Sequence, residues 1–426
     1  MNEPSCPCCF FMGKNLFLPW DDKDTVGVEC TKVGDETSSI EVAEVLSPSE
    51  AWDAIISARA DTNQEQQPIA LVDTHGHPHL ERKIEYASQE SEKRTALHND
   101  EKNVVVSMTC AVSPLDWTDA LKYACRSEHV LPALGIHPWY LGDILMEHIL
   151  ENNTDQNTDV EPIDIEQYLR WDWLSELETK LSEHPNLIVG EIGLCKMARF
   201  VREFPKALGG KATALQLQKI VFKRQMKIAA KWRGPVTVHC VNAHGLLMET
   251  LEEILQEAVE SCSPDEGLVN SGGKTARLEA FPTAIALHSF TGTAHHVKEI
   301  LGFERKIFHP DQTQLGGKKQ RKKKKQQQKE EEECAYDNLF YFGFSHSVNY
   351  VMCTSEKAKR KGIEAVKAIP LDRLLIESDV HATDDVTLGT AGAAAYAANA
   401  RGESLEYIAE TSTRNGLRFI NSLRLS

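Results

Sequence analysis

The chain has 426 residues, 41% hydrophobic and 26% charged, with a formal charge of −16 at pH 7. That length holds one large domain or two ordinary ones, and the ordinary apolar fraction excludes global disorder. So acidic a chain is a poor non-specific coat for nucleic acid, although a local basic site is compatible with it.

In chain order, residues 1–67 are a polar, partly disordered extension, in which Pro48-Ser-Glu-Ala-Trp52 looks like one helix start. Cys6, Cys8 and Cys9 have no second cluster at zinc-site spacing and read as a thiol-bearing tail. From residue 71 apolar strands alternate with amphipathic helices. The expected strands are 71–75, 103–108, 130–136, 187–192, 235–240, 283–289, 339–345 and 373–378. The expected helices are 84–98, 114–127, 164–184, 213–231, 244–259, 294–302, 355–368 and 404–421. Eight strand–helix pairs without a glycine-rich phosphate fingerprint predict an α/β fold over 68–426, a TIM-like (β/α)8 barrel with long insertions.

Three stretches interrupt the rhythm: 141–163, acidic and rich in asparagine; 261–280, with Ser, Gly and Pro; and the low-complexity insertion 304–335. The last holds the basic run 318–325, then glutamines, then Glu330–Glu333, a composition that repels itself and reads as a solvated loop. Read functionally, the basic run would be a nuclear address or a nucleic-acid arm. Eleven scattered cysteines point to a reducing compartment, cytoplasmic or nuclear. No run of about 18 apolar residues occurs and the start lacks a secretion signal, so no membrane partner is expected.

Five of the predicted strands deliver metal-binding residue types where the apolar run stops. His75 and His77 follow the first strand, two residues apart and so on one side of an extended chain, with Asp73 behind them as an expected acceptor. Glu191 follows Leu187-Ile-Val-Gly, where an unligated carboxylate is costly and two oxygens can bridge two ions. His239 and His288 end the fifth and sixth strands, and Asp379 ends the eighth, with Glu377 two residues earlier. An HxH pair, or one strand-end histidine, is common in structural roles. All of them on one rim of a barrel, where that fold places its active site, point to one or two divalent ions and metal-dependent hydrolysis.

These motifs carry a resemblance. Asp73-Thr-His75-Gly-His77, Gly135-Ile-His137-Pro138, Gly190-Glu191-Ile-Gly-Leu194, Val238-His239-Cys240, His288-Ser-Phe-Thr-Gly292 and Glu377-Ser-Asp379 resemble, in order, those of TatD-type metal-dependent deoxyribonucleases. The helix with Gln216, Phe222 and Gln225 and the ending 406–419 are similar as well. The resemblance, over roughly 71–421, implies that His75, His77 and Asp379 bind one ion and His239 and His288 the other, with Glu191 bridging. It also implies that His137 contacts substrate phosphate, and that Asp379 and Glu191 are catalytic. The expected cofactors are two divalent metal ions, Zn or Mn by the histidine content, or Mg. The expected substrate is DNA, at its ends, or another phosphodiester.

Two departures stand out. Cys195 replaces an aspartate of the family, and Val241 an arginine that would contact phosphate. Val238-His-Cys-Val-Asn-Ala-His-Gly245 looks closer to the fungal branch, one member of which is named for binding a cell-cycle protein. The expectation is therefore a deoxyribonuclease. The alternatives are a weak or inactive barrel serving as a protein-interaction scaffold, or a hydrolase of amide or ester bonds.

Overall fold

The computed structural model describes residues 45–61, 68–81, 103–146, 165–261, 277–308 and 338–422. Eight strands form one all-parallel sheet in sequence order: β1 (Ile69–Asp73), β2 (Val104–Cys110), β3 (Val130–Leu134), β4 (Ile188–Cys195), β5 (Val236–Val241), β6 (Ile285–Leu287), β7 (Phe340–Ser345) and β8 (Leu374–Glu377). The seam is closed just past the strands. Thr74 N–H donates to Ile376 O at 3.2 Å, Asp379 N–H to His75 O at 2.9 Å, and His77 N–H to Val380 O at 2.8 Å. The eight-stranded barrel expected from the alternation is the fold observed.

Helices cover the outside: α1 (Pro48–Asp61), α2 (Trp117–Ala124), α3 (Asp172–Glu183), α4 (Arg199–Glu203), α5 (Gly210–Lys231), α6 (His244–Glu260), α7 (Ala294–Phe308), α8 (Glu356–Ala368), α9 (Val386–Arg401) and α10 (Leu405–Ile420). The expected helix 84–98 and most of the three interrupting stretches lie outside the described residues, as do Cys6, Cys8 and Cys9.

One buried cluster takes a residue from seven of the strands, Val72, Met108, Ala133, Ile188, Ala286, Tyr341 and Leu375. On β5 the residue paired with Ala286 is Thr237, which is fully buried. A hydroxyl inside an apolar layer needs a partner, and Thr237 finds one in His75, described below. The layer is therefore both packing and the floor of the site.

Beyond small shifts at many element ends, three differences from expectation stand out. The helix start at 48–52 extends to the full α1, with Ala51 and Ile55 buried in one cluster with Ala391 and Ala394 of α9. Helix α7 runs to Phe308, through the first residues assigned to the low-complexity insertion. Glu304 there is buried, paired with Arg373 at 2.6 and 2.7 Å, and accepts the Phe340 N–H at 3.0 Å. Helix α9, which no periodicity announced, is rich in alanine and buried on nearly every face, so it lacks the apolar stripe that marks a surface helix.

Candidate metal centre

Strand β1 ends at Asp73, so His75 and His77 lie beyond the ladder, yet both still reach the same carboxylate. His75 Nε2 and His77 Nε2 stand 3.3 and 3.4 Å from Glu191 Oε2. The other oxygen, Oε1, is ringed by His137 Nε2 at 3.2 Å, His239 Nδ1 at 3.0 Å and His288 Nε2 at 2.7 Å. Asp379 Oδ1 lies 3.8 Å from His77 Nε2. All seven residues singled out from the sequence thus meet around Glu191, which is 2% exposed.

Glu191 can sit there because Gly193, two residues on, brings β4 and β5 together. A Cβ at Gly193, whose φ is +153°, would fall 2.0 Å from His239 O. The site's other strained turns are at Ser289 and Asp379, with φ of +37° and +50°. Left-handed backbone at such residues costs on the order of 1 kcal/mol or more. The two are tied to each other by Ser289 Oγ donating to Asp379 Oδ2 at 2.8 Å. Glu377, completely buried behind them, accepts the Ser289 N–H.

Asp73 does not hold a histidine ring, as the sequence suggested. It accepts Ser378 N–H at 2.8 Å, Ser378 Oγ–H at 2.6 Å and His75 N–H at 3.2 Å, so it pins the end of β8 and with it Asp379. Burial pushes its carboxyl up to about 8 against those hydrogen bonds. The ring of His75 is held instead by Thr237 Oγ1, 2.8 Å from Nδ1.

Two glutamines on α5 set the neighbouring loops. Gln225 bonds the Ile136 N–H and C=O at 2.7 and 3.2 Å, which positions His137. Gln218 takes the Cys195 N–H at 2.9 Å and donates to Pro138 O at 3.1 Å. Gln216, the residue noted in the sequence, is exposed. The signal for the right one was available, since 218 and 225 share a helix face at a spacing of two turns.

The donor set fits a divalent cation, and the tautomers decide which histidines supply it. His77 Nδ1 donates to Cys110 O at 2.6 Å, so in the neutral ring the lone pair of Nε2 faces Glu191 Oε2 and Asp379 Oδ1. A lone pair aimed at two carboxylates is repulsive unless positive charge stands between them. His75 Nε2 and Glu191 Oε1 are buried without a hydrogen-bond partner, despite their close neighbours. His137 is different. Its Nδ1 accepts the Trp139 N–H at 3.2 Å, so the neutral ring carries its proton on Nε2. That side can donate to an anionic oxygen but cannot ligate, although it lies within reach of Glu191 and His239.

The charge balance agrees. Burial raises the Glu191 carboxyl, but His137, His288 and His75 outweigh it and hold the group well below the usual range. Burial likewise opposes charge on His239 and His288. Cys195 and Glu191 draw His239 up to about 9, and Glu191 with Glu377 draws His288 well above its ordinary value. His137, lowered chiefly by burial to about 4, stays neutral. The carboxylate demands positive charge, which protons on two histidines or a bound cation supply equally. Cys195, at the place of the family's aspartate, is buried beside His239, and Val241 ends β5 half-buried.

Four likenesses stand beside this geometry. A family model described as TatD related DNase matches residues 72–309. The Cut9-interacting protein scn1 of Schizosaccharomyces pombe is 24% identical over 284 residues, covering 60% of this chain and 73% of that protein. A Saccharomyces cerevisiae protein named as an uncharacterized deoxyribonuclease is 26% identical over 233 residues, 48% of this chain and 64% of that one. The crystal structure of an uncharacterized amidohydrolase from Saccharomyces cerevisiae superposes with a TM-score of 0.50 at 13% identity, over 82% of this chain and 99% of that one, a likeness of fold.

Proposed function

This chain belongs to the TatD related DNase family and is a hydrolase of that type, and from that premise we propose that it cleaves phosphodiester bonds at DNA ends with two divalent ions. The observation that carries the proposal is the His77 lone pair turned toward two carboxylates, with Glu191 Oε1 unsatisfied among three imidazoles.

His75, His77 and Asp379 would hold one ion, His239 and His288 the other, and Glu191 would offer one oxygen to each. Ions of this kind lower the pKa of a water nucleophile and offset charge on the phosphoryl oxygens. The chain's own residues do the rest. Asp379 accepts the proton from the attacking water, with Oδ2 fixed by Ser289 and Oδ1 turned to the centre. His137 donates from Nε2 to a non-bridging phosphate oxygen. The histidine-rich donor set favours Zn or Mn over Mg. The cysteines of the described residues are free, including buried Cys110, Cys195 and Cys240, which fits a reducing cytoplasmic or nuclear setting.

The test is turnover of a short DNA duplex and of aminoacyl esters by purified protein, with and without a chelator. Chelator-sensitive release of nucleotides from DNA ends supports the reading. Turnover of esters alone would replace phosphorus by carbonyl carbon as the electrophile. A second reading, a scaffold for a protein partner, is favoured by Cys195 and Val241 and by the name of the Schizosaccharomyces pombe relative. It predicts no DNA turnover, and retention of a partner by the metal-free protein.

A further inference from the structure

A second histidine group lies on the same rim, and it contains no carboxylate ligand. His244 is the first residue of α6, five residues past His239, and His296 sits in the first turn of α7, eight past His288. Their rings stack at 4.3 Å and 9°, with Phe290 edge-on to His244 at 5.5 Å. His244 is 8% exposed, and its Nε2 is buried with no hydrogen-bond partner. His296 Nδ1 accepts the Thr293 N–H at 3.2 Å, which leaves its proton on Nε2. Lys361 reaches in from α8, with Nζ donating to Thr291 O at 2.8 Å.

The N-terminus of α6 has no side-chain cap, and exposed Gly245 there has open space where a Cβ would stand. The first turn of a 17-residue helix thus has backbone N–H groups without a side-chain cap and the positive end of its dipole, with Gly245 exposed beside them. Around it stand His244, His296 and Lys361. Of the charged groups facing them, Glu299, exposed on α7 and 3.5 Å from His295, acts on His296 in the raising direction, while burial, Lys361 and His295 outweigh it. Burial, with His296 and Lys361 beside it, lowers His244 to about 4. The group has one carboxylate near it, exposed Glu299, against two imidazoles and Lys361, where the Glu191 centre is short of positive charge.

We propose that the α6 N-terminus, His244, His296 and Lys361 form a seat for a second phosphate, that of the nucleotide next to the scissile bond. The proposal rests on the phosphodiester reading for the identity of the ligand and on the cluster alone for the anion seat.

The experiment titrates the metal-loaded full chain with inorganic phosphate, followed by the imidazole NMR signals of His244 and His296. A single-stranded oligonucleotide is then bound and read by stopped-flow anisotropy, before any turnover. Both ring signals should move saturably. Lys361→Gln, at an exposed position that leaves the fold intact, should weaken phosphate and oligonucleotide binding about tenfold each, the scale of one charge-assisted hydrogen bond. His296→Gln should do the same. Phosphate that leaves both rings unmoved, or variants that bind it like wild type, would overturn the seat. Weakened phosphate binding with unchanged oligonucleotide binding would assign the seat to free phosphate and overturn the backbone claim. Neither arm needs turnover, so a failed nuclease assay does not decide the result.

Discussion

The two histidine groups on the barrel rim use one residue type for opposite purposes. Around Glu191, imidazoles face carboxylates, and His77 turns a lone pair toward the centre because Cys110 O holds its proton on the other side. Between α6 and α7, His296 keeps its proton on Nε2 because a backbone N–H occupies Nδ1, and the one acid acting on it, Glu299, also lies 3.5 Å from His295. What sits behind the ring decides whether a histidine seeks a cation or an anion. His137 is the instructive intermediate. It stands among the ligands of the first group but has the tautomer of the second.

The comparison can be broken at several points. Asp379→Asn keeps a ligating oxygen but cannot take a proton, so kcat should fall about a hundredfold or more while metal occupancy drops less. Near-wild-type kcat would pass the role to another carboxylate, with Glu377 first to examine. His75→Ala or His77→Ala should weaken metal binding by about tenfold to a hundredfold, with the circular dichroism spectrum retained. Global unfolding with metal still bound would make both core residues. His137→Gln should leave metal content unchanged and raise KM or lower kcat about tenfold, as loss of one donor to phosphate does. Loss of a metal ion in that variant would show that the tautomer argument fails. Val241→Arg, which restores the family's cation, should strengthen oligonucleotide binding a few-fold and steepen its salt dependence. No gain would mean that a cation at the end of β5 does not reach the oligonucleotide.

Much of this was legible in the chain because barrel strands buried on both faces read as apolar runs, and each site residue lies at or just past a run's end. What stayed hidden was tertiary. Helix α9 has no stripe to detect because α1, α10 and the barrel cover it on all sides. Glu304 reads as the start of a charged insertion until Arg373, distant in sequence, is brought against it. Asp73 reads in the sequence as an acceptor behind the histidines, but two of its three donors come from Ser378, far along the chain, a pairing that only closure of the seam creates. Ser289 lies inside a quoted motif and Thr237 beside one, but neither is marked for a role. Their roles appear only when β6 meets β8 and β5 meets β1 across the interior.

The central claim, that the Glu191 group is a cation seat, is tested most directly by elemental analysis of wild type and Glu191→Gln after purification without chelator. Gln keeps the shape and loses the charge that draws the ring of imidazoles together. The account predicts about two divalent ions per wild-type chain, as a two-ion hydrolytic site requires, and loss of at least one of them in the variant. A wild-type chain that binds no divalent ion even when supplied with Zn or Mn, or a variant that keeps its full complement, would contradict it.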